Sequence, residues 1–342
     1  MDAVPNQKNM ENKIKNTWKA HVAMLLAGAM WGLMAPLGKD AMQAGFSGLM
    51  MVTFRVTGAA ACFWINSAFT SRETVKPHDM LLLFFAAMLS IVLNQCCYTI
   101  GLSLTSPVNA SIVTTTMPII TMILAALFLH EPVTNKKVIG IFAGALGAFL
   151  LITGSVHATE GKAGNIQGDL LCLLAQCSFA VYLTIFKHLI QRYNIVTCMK
   201  WMFTYATIVV LPFTYTEFAT YDWETVTLRM VAETGFVVVC ATYFAYLLMM
   251  NGQKKLRPTV VSMYNYVQPI VACLVSVLTG LGIFGWSQAL AILLVFGGVY
   301  LVTQSKSCRV QQQMQSYVIS LKKHFFGVSK FSFSLGLLFS FF

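Results

Sequence analysis

Apolar residues along this chain gather in runs of about 20, the length a helix needs to cross ~30 Å of hydrocarbon. The runs cover 20–39, 47–68, 80–103, 107–129, 137–155, 168–188, 199–216, 229–250, 258–281 and 286–304, with short polar stretches between them. The pattern predicts an all-α membrane protein of ten transmembrane helices with no room for a separate soluble domain. Composition agrees. Of 342 residues, 57% are hydrophobic and 10% charged, against about 25% charged in a soluble domain.

A formal charge of +11 invites a nucleic-acid reading, but the basic residues sort by side. Lys8, Lys13, Lys15 and Lys19 precede span one, Arg72 and Lys76 follow span two, and Lys136 and Lys137 follow span four. Lys187, Arg192 and Lys200 flank the sixth connection, and Lys254, Lys255 and Arg257 precede span nine. Lys306, Arg309, Lys322, Lys323 and Lys330 follow span ten. The opposite connections hold Lys39, Lys162 and Arg229, and Arg55 lies inside a span. By the positive-inside rule both termini are cytoplasmic. The charge is a topology signal, and no nucleic-acid partner is expected.

The chain also repeats itself. A shift of 151 residues lays Gly101 on Gly252, Pro107 on Pro258, Ser111 on Ser262, Pro118 on Pro269 and Gly147 on Gly298. A shift of 148 lays Leu25, Leu26, Ala27 and Lys39 on Leu173, Leu174, Ala175 and Lys187. The expected organisation is a cytoplasmic segment 1–19, a first repeat 20–155, a second repeat 156–304 and a cytoplasmic or interfacial tail 305–342. Five spans per repeat is an odd number, so the second repeat enters the membrane from the opposite side. Inverted repeats can exchange conformations and open a midplane site to each side in turn, the logic of a carrier.

Candidate pathway residues are polar groups inside these spans. In span nine Pro258 stands at the first turn, where its missing N–H costs nothing, and Pro269 lies about halfway, as Pro118 does in span four. Both are read as helix kinks, tolerated in a membrane where protein or a wet cavity meets the freed carbonyl. Ser262, Asn265, Tyr266 and Pro269 fall at i, i+3, i+4 and i+7, on one helical face. Their shifted partners are Ser111, Thr114, Thr115 and Pro118. Tyr264 and Gln268 extend the cluster, Asn94, Gln95 and Tyr98 form another in span three, and Tyr243 is a candidate in span eight. Each also has a plainer reading, as interhelical glue worth ~0.6 kcal/mol per bond or as packing.

Arg55 inside span two should face the bundle, since a charge there is expensive unless paired or hydrated. It is either an anchor for an anionic group, such as a substrate carboxylate, or a partner of backbone carbonyls near the outer interface. Trp31 lines a cavity or packs. Lys39 and Lys187 are expected to snorkel, and Glu131 to sit near a helix N-terminus. No Asp or Glu marks a span midpoint, which weakens a proton-coupled mechanism.

The nine cysteines read as small apolar residues, and no Cys or His spacing suits a metal. No metal and no cofactor is expected. The first apolar run is too long for a signal-peptide core and reads as an uncleaved helix. A membrane-embedded enzyme acting on lipid or polyprenyl substrates, or a flux-free receptor or scaffold, is the alternative. The enzyme would need an acid–base or metal cluster at one interface. A homodimer is left open.

Several segments resemble the EamA-type permeases of the drug/metabolite transporter superfamily. In the first half they are WGLMAPLGK at 31–39, FRVTGAAA at 54–61, GLSLTSPVNASIVTTTMPIITMILAALFLHEPVT at 101–134 and KVIGIFAGALGAFLLI at 137–152. In the second they are GQKKLRPTVVSMYNYVQPIVACLVSVL at 252–278 and FGGVYLV at 296–302. The resemblance implies two five-helix repeats in the inner (plasma) membrane and a central cavity lined mainly by spans one, three, four, six, eight and nine. It also implies export or exchange of a small metabolite, such as an amino acid. Two features depart from it: Gly282 to Gly285 occupy the place of a second Glu131, and 309–342 lie outside the pattern. The apolar end 332–342 is too short to cross and is expected at the membrane surface or disordered.

Overall fold

The computed structural model describes residues 7–105, 110, 113–155, 166–278 and 286–305, with backbone alone at 7–16, 151–155, 272–273, 276–278 and 287–288. The described residues form helices joined by short turns. They are α1 Gln7–Gln43, α2 Gly48–Ala68, α3 Pro77–Leu104, α4 Met117–Leu129, α5 Asn135–Ser155, α6 Ile166–Ile185, α7 Ile195–Thr220 and α8 Leu228–Lys255. Next, α9 runs as Pro258–Met263, tightens to a 3-10 turn at Tyr264–Tyr266 and resumes over Val267–Leu278. Last is α10, Trp286–Thr303.

Local chemistry sets the boundaries. Ser47, Asn194 and Thr227 stand just before α2, α7 and α8, and their side chains accept from the N–H groups of Met50, Val196 and Met230. Each satisfies an amide the helix itself leaves orphaned. His130 ends α4 in the left-handed region at φ 51°. Lys39, expected to snorkel, instead donates to the carbonyls of Leu102 and Thr105 at 3.0 and 2.8 Å, closing the end of α3. A cation at a helix C-terminus meets both the free carbonyls and the dipole.

Among the described residues six helices are long and apolar enough to cross a membrane, namely α2, α3, α6, α7, α8 and the Thr17–Gln43 part of α1. Met117–Leu129 and Ala289–Thr303 are shorter apolar helices. Leu127, Phe142, Phe213 and Leu293 are among the large side chains exposed on the outside, as lipid rather than water requires. The inside holds small residues, methionines and aromatics.

The duplication is visible in the backbone. Pro77–Leu104 shifted by 151 residues is Leu228–Lys255, and the π-helical segment within it, Met88–Leu93, becomes Val239–Phe244. Both segments leave a carbonyl to be met from outside the helix. Ser90 O accepts from Tyr246 Oη at 3.2 Å, and Ala241 O, its shifted equivalent, accepts from Trp31 Nε1 at 3.0 Å.

Packing follows the same relation. α6 lies on α3 and α4, while α1, its equivalent, lies on α8 and α9. α2 pairs with α7, and α5 with α10. Thr53 bonds Thr214 and Phe63 stacks on Phe203, so numbers rise along α2 as they fall along α7. Gly140 faces Gly298 and Gly147 faces Ala291, so α5 and α10 also cross antiparallel. Gln95 Nε2 reaches Tyr246 Oη at 3.1 Å and Tyr266 Oη reaches Thr115 O at 3.2 Å. Each of those pairs joins two residues 151 apart, which places both contacts near the axis relating the halves.

The proline kinks differ from expectation. Pro118 lies in the first turn of α4 after a turn at 115–116, not midway along a continuous helix. Pro269 follows the 3-10 turn of α9. A proline disfavours helical geometry in the residue before it and removes one amide, so each helix breaks ahead of its proline. Residues 156–165, the fifth connection, lie outside the described residues, as do Pro107, Ser111, residues 279–285 and the tail from 306.

Candidate functional site

A cavity opens among the helices, lined by Trp31 and Met34 of α1, Arg55 of α2, Asn94, Gln95 and Tyr98 of α3, and Thr114 ahead of α4. Gln176 and Phe179 of α6 and Asn265 and Gln268 of α9 complete it. Both halves contribute, and two of the pairs, Thr114 with Asn265 and Trp31 with Phe179, are equivalents under the shifts of 151 and 148.

Several polar lining groups are held by specific contacts. Asn94 Nδ2 donates to Ala175 O at 2.9 Å, tying α3 to α6. Tyr246 Oη spends its one proton on Ser90 O, so its oxygen must accept from Gln95 Nε2. That choice turns Gln95 Oε1 the other way, where this buried oxygen has no partner. Gln268 Nε2 donates to Asn265 Oδ1 at 3.3 Å, while Asn265 Nδ2 lies against Met117 Sδ. Arg55 is 4% exposed and donates through Nε to Thr242 Oγ1 at 3.1 Å. Thr242 in turn donates to Val237 O at 2.8 Å, a bond spanning five residues across the π segment of α8. Among the described residues Arg55 has no backbone-carbonyl partner, so the reading that ties it to carbonyls is replaced by this threonine contact. The π segment offers a side-chain acceptor at the depth where the guanidinium arrives.

The sequence-derived candidates divide. Asn94, Gln95, Tyr98, Thr114, Asn265, Gln268 and Arg55 meet at the cavity. Tyr264 points elsewhere, its hydroxyl 2.6 Å from His21 Nδ1. Tyr266 is fully buried, bonded to Thr115 O and Ile141 O at 3.2 Å each, with its ring against Gly144. Ser262 donates to its own helix at Thr259 O, and Tyr243 accepts from Asn66 Nδ2 at 2.8 Å. Ser111 lies outside the described residues. The face that joined Ser262, Asn265 and Tyr266 assumed 3.6 residues per turn, and the 3-10 turn at Tyr264–Tyr266 breaks that period. The polar pattern does not single out Met34, Gln176 or Phe179, and it leaves Trp31 between cavity and packing. The shift of 148 carries Trp31 onto Phe179, a signal that could have raised both.

A second polar layer lies about 15 Å from Trp31, ten residues back along α1 at 1.5 Å per residue. His21 meets Tyr264 there, and Tyr182 Oη meets Gln253 Oε1 at 3.1 Å. Glu131, expected at a helix N-terminus, is instead an ion-pair acceptor: Lys137 Nζ lies 2.8 Å from Oε2 and Lys187 Nζ 4.0 Å from Oε1. Thr259 Oγ1 also donates to Oε2 at 3.1 Å, joining the α4–α5 turn to the start of α9. At opposite ends of the bundle two ion pairs make equivalent joints. Asp40 near the end of α1 meets Arg229 at the start of α8, and Arg192 after α6 meets Asp79 at the start of α3 at 2.7 Å.

The model of the EamA-like transporter family matches residues 18–153 and again 166–304, the same two halves. The chain is similar to the uncharacterized transporter YetK of Bacillus subtilis, at 21% identity over 86% of this chain and 89% of that one. An uncharacterized transporter of Archaeoglobus fulgidus is 24% identical over 75% and 88%. A WAT1-related protein of Arabidopsis thaliana is 26% identical over 53% and 52%. One solved crystal structure superposes with a TM-score of 0.66 at 18% identity, covering 84% of this chain and 96% of the other, a likeness of fold alone. Matched in both halves by one family model, the chain belongs to the EamA-like transporter family.

Proposed function

We propose that the protein moves a small polar or amphipathic metabolite across the inner membrane by alternating access, through ten spans arranged as two inverted five-helix units with both termini cytoplasmic. The observation carrying this reading is the cavity itself, built from polar and aromatic side chains of both halves around contacts between equivalent residues. The antiparallel crossings of α2 with α7 and of α5 with α10 support the inversion. The layer of His21, Tyr264, Tyr182 and Gln253 would close the cytoplasmic side, and the Asp40–Arg229 and Arg192–Asp79 joints would part in alternation. Relatives named as transporters lend nothing to an enzyme or scaffold reading. Direction is expected to be efflux or exchange, as the resemblance implies, and no carboxylate among the described residues lines the cavity to carry a proton.

Two results test this. In a cysteine-free background, a cysteine at position 161 should react with an impermeant maleimide added to intact cells. Protection there with labelling only after lysis would place the fifth connection in the cytosol and end the inverted topology. Asn265→Leu should lower flux of the protein's substrate about tenfold, the worth of one or two polar contacts, with thermal stability kept. Tyr266→Phe should do the reverse. It removes the one hydroxyl proton that the Thr115 and Ile141 carbonyls share, costs about 1–3 kcal/mol of stability, and spares flux per folded molecule.

A further inference from the structure

Arg55 brings a full charge into a space with no acid to meet it. Among the described residues its one hydrogen bond runs through Nε to Thr242, and its electrostatic neighbours are Tyr246, Tyr98 and Cys96. No ion pair forms with it. The two terminal nitrogens, a planar fork shaped for a carboxylate, have no acceptor among the described residues. They are absent from the buried atoms that lack partners, so they border open space, and that space is the cavity. Gln95 is 1% exposed, and its Oε1 is a buried acceptor without a donor in a residue of the cavity wall. Trp31, Phe179 and Met34 supply an apolar wall.

We propose that the cavity selects an organic monoanion whose carboxylate is held by the Arg55 fork and whose carbon body lies against Trp31 and Phe179. This rests on the carrier reading and narrows its substrate class. The charge count decides between candidates. Among the described residues the lining carries one cation and no anion, so a monoanion leaves the loaded site neutral. A zwitterion leaves the positive charge uncompensated, and its ammonium would meet only amide oxygens and ring faces. A phosphate dianion would exceed the single guanidinium. In a low-dielectric setting such imbalances dominate selectivity.

The test uses purified full-length protein in detergent and a matched series of radiolabelled probes: 3-phenyllactate, phenylalanine and 2-phenylethylamine, with inorganic phosphate and chloride as competitors. 3-Phenyllactate should bind at least tenfold more tightly than the other two, and neither inorganic ion should displace it. Arg55→Gln should weaken 3-phenyllactate roughly 10–100-fold, the worth of charge-assisted hydrogen bonds, and flatten the series. Gln95→Glu adds the missing negative charge and should shift preference to phenylalanine, a gain that a merely misfolded variant cannot show. Preference for the zwitterion or the amine, displacement by phosphate or chloride, no saturable 3-phenyllactate binding up to ~10 mM, or an unmoved preference in Gln95→Glu overturns the proposal. Flux in liposomes is scored apart. Charge-selective binding without flux of any compound would sink the carrier reading and keep the anion site. Flux of a cation or zwitterion untouched by Arg55→Gln would do the opposite.

Discussion

Glu131→Gln is expected to cost about 3–5 kcal/mol, because it strands the ammonium of Lys137 in a place it cannot leave. The Lys137 side chain is 1% exposed and its nitrogen lies 2.8 Å from the carboxylate. Removing one member of a buried pair leaves the other's desolvation uncompensated, while replacing both by neutral groups of similar volume is often neutral or better. Lys137→Met should therefore hurt less than Glu131→Gln, since Lys187 stays 4.0 Å from the other carboxylate oxygen and Thr259 still donates to the first. The double variant Glu131→Gln, Lys137→Met should recover most of the loss. The check is thermal unfolding in detergent for all four members of the cycle. A double variant as unstable as the sum of the singles would show that the two residues act separately.

That cluster also marks what could be read from residues alone. Hydropathy located the helices because lipid demands about 20 apolar residues per crossing, and it could not tell a carboxylate at a helix start from one paired across the bundle. Glu131 precedes α5 by four residues, which suits a dipole reading, yet its partners come from α5, α6's end and the start of α9. The duplication was the more informative signal. The shift of 151, found from a handful of glycines and prolines, reproduces α3 in α8 down to a π segment that no periodicity announced.

The cavity was legible where polarity alone decides. Asn94, Gln95, Thr114, Asn265, Gln268 and Arg55 all reach it, since an amide or charge in an apolar span must find a partner or water. Tyrosine obeys a looser rule: its ring packs anywhere and its hydroxyl needs one acceptor. Tyr264, Tyr266 and Tyr243 accordingly found partners elsewhere, whereas Tyr98 stayed. Phe179 and Met34 carry no polar signal, so what betrays them is the symmetry that equates Phe179 with Trp31.

The crossing of α5 with α10 is where a single methyl group should do most damage. A Cβ on Gly140 would meet the Gly298 carbonyl oxygen at 2.7 Å, and one on Gly147 the Ala291 carbonyl oxygen at 2.5 Å. On Gly298 it would strike Gly140 O and the Gly144 amide nitrogen. All of these are backbone atoms, which cannot rotate aside as a side chain would, so the helices must part along their length. Close approach through small residues is how membrane helices gain van der Waals contact in the absence of a hydrophobic drive between them. Overpacking costs about 1–3 kcal/mol per site and sometimes more, and Gly140→Val with Gly298→Val applies it on both sides of one contact. The double variant should fail to yield monodisperse protein, and each single should lower the unfolding temperature. Gly235→Ala and Gly297→Ala, where nothing lies within 4 Å, are the controls and should leave it unchanged. Equal stability in the Gly140 and Gly235 variants would mean that α5 and α10 do not meet backbone to backbone, and with that the antiparallel crossing on which the inverted arrangement leans would fall.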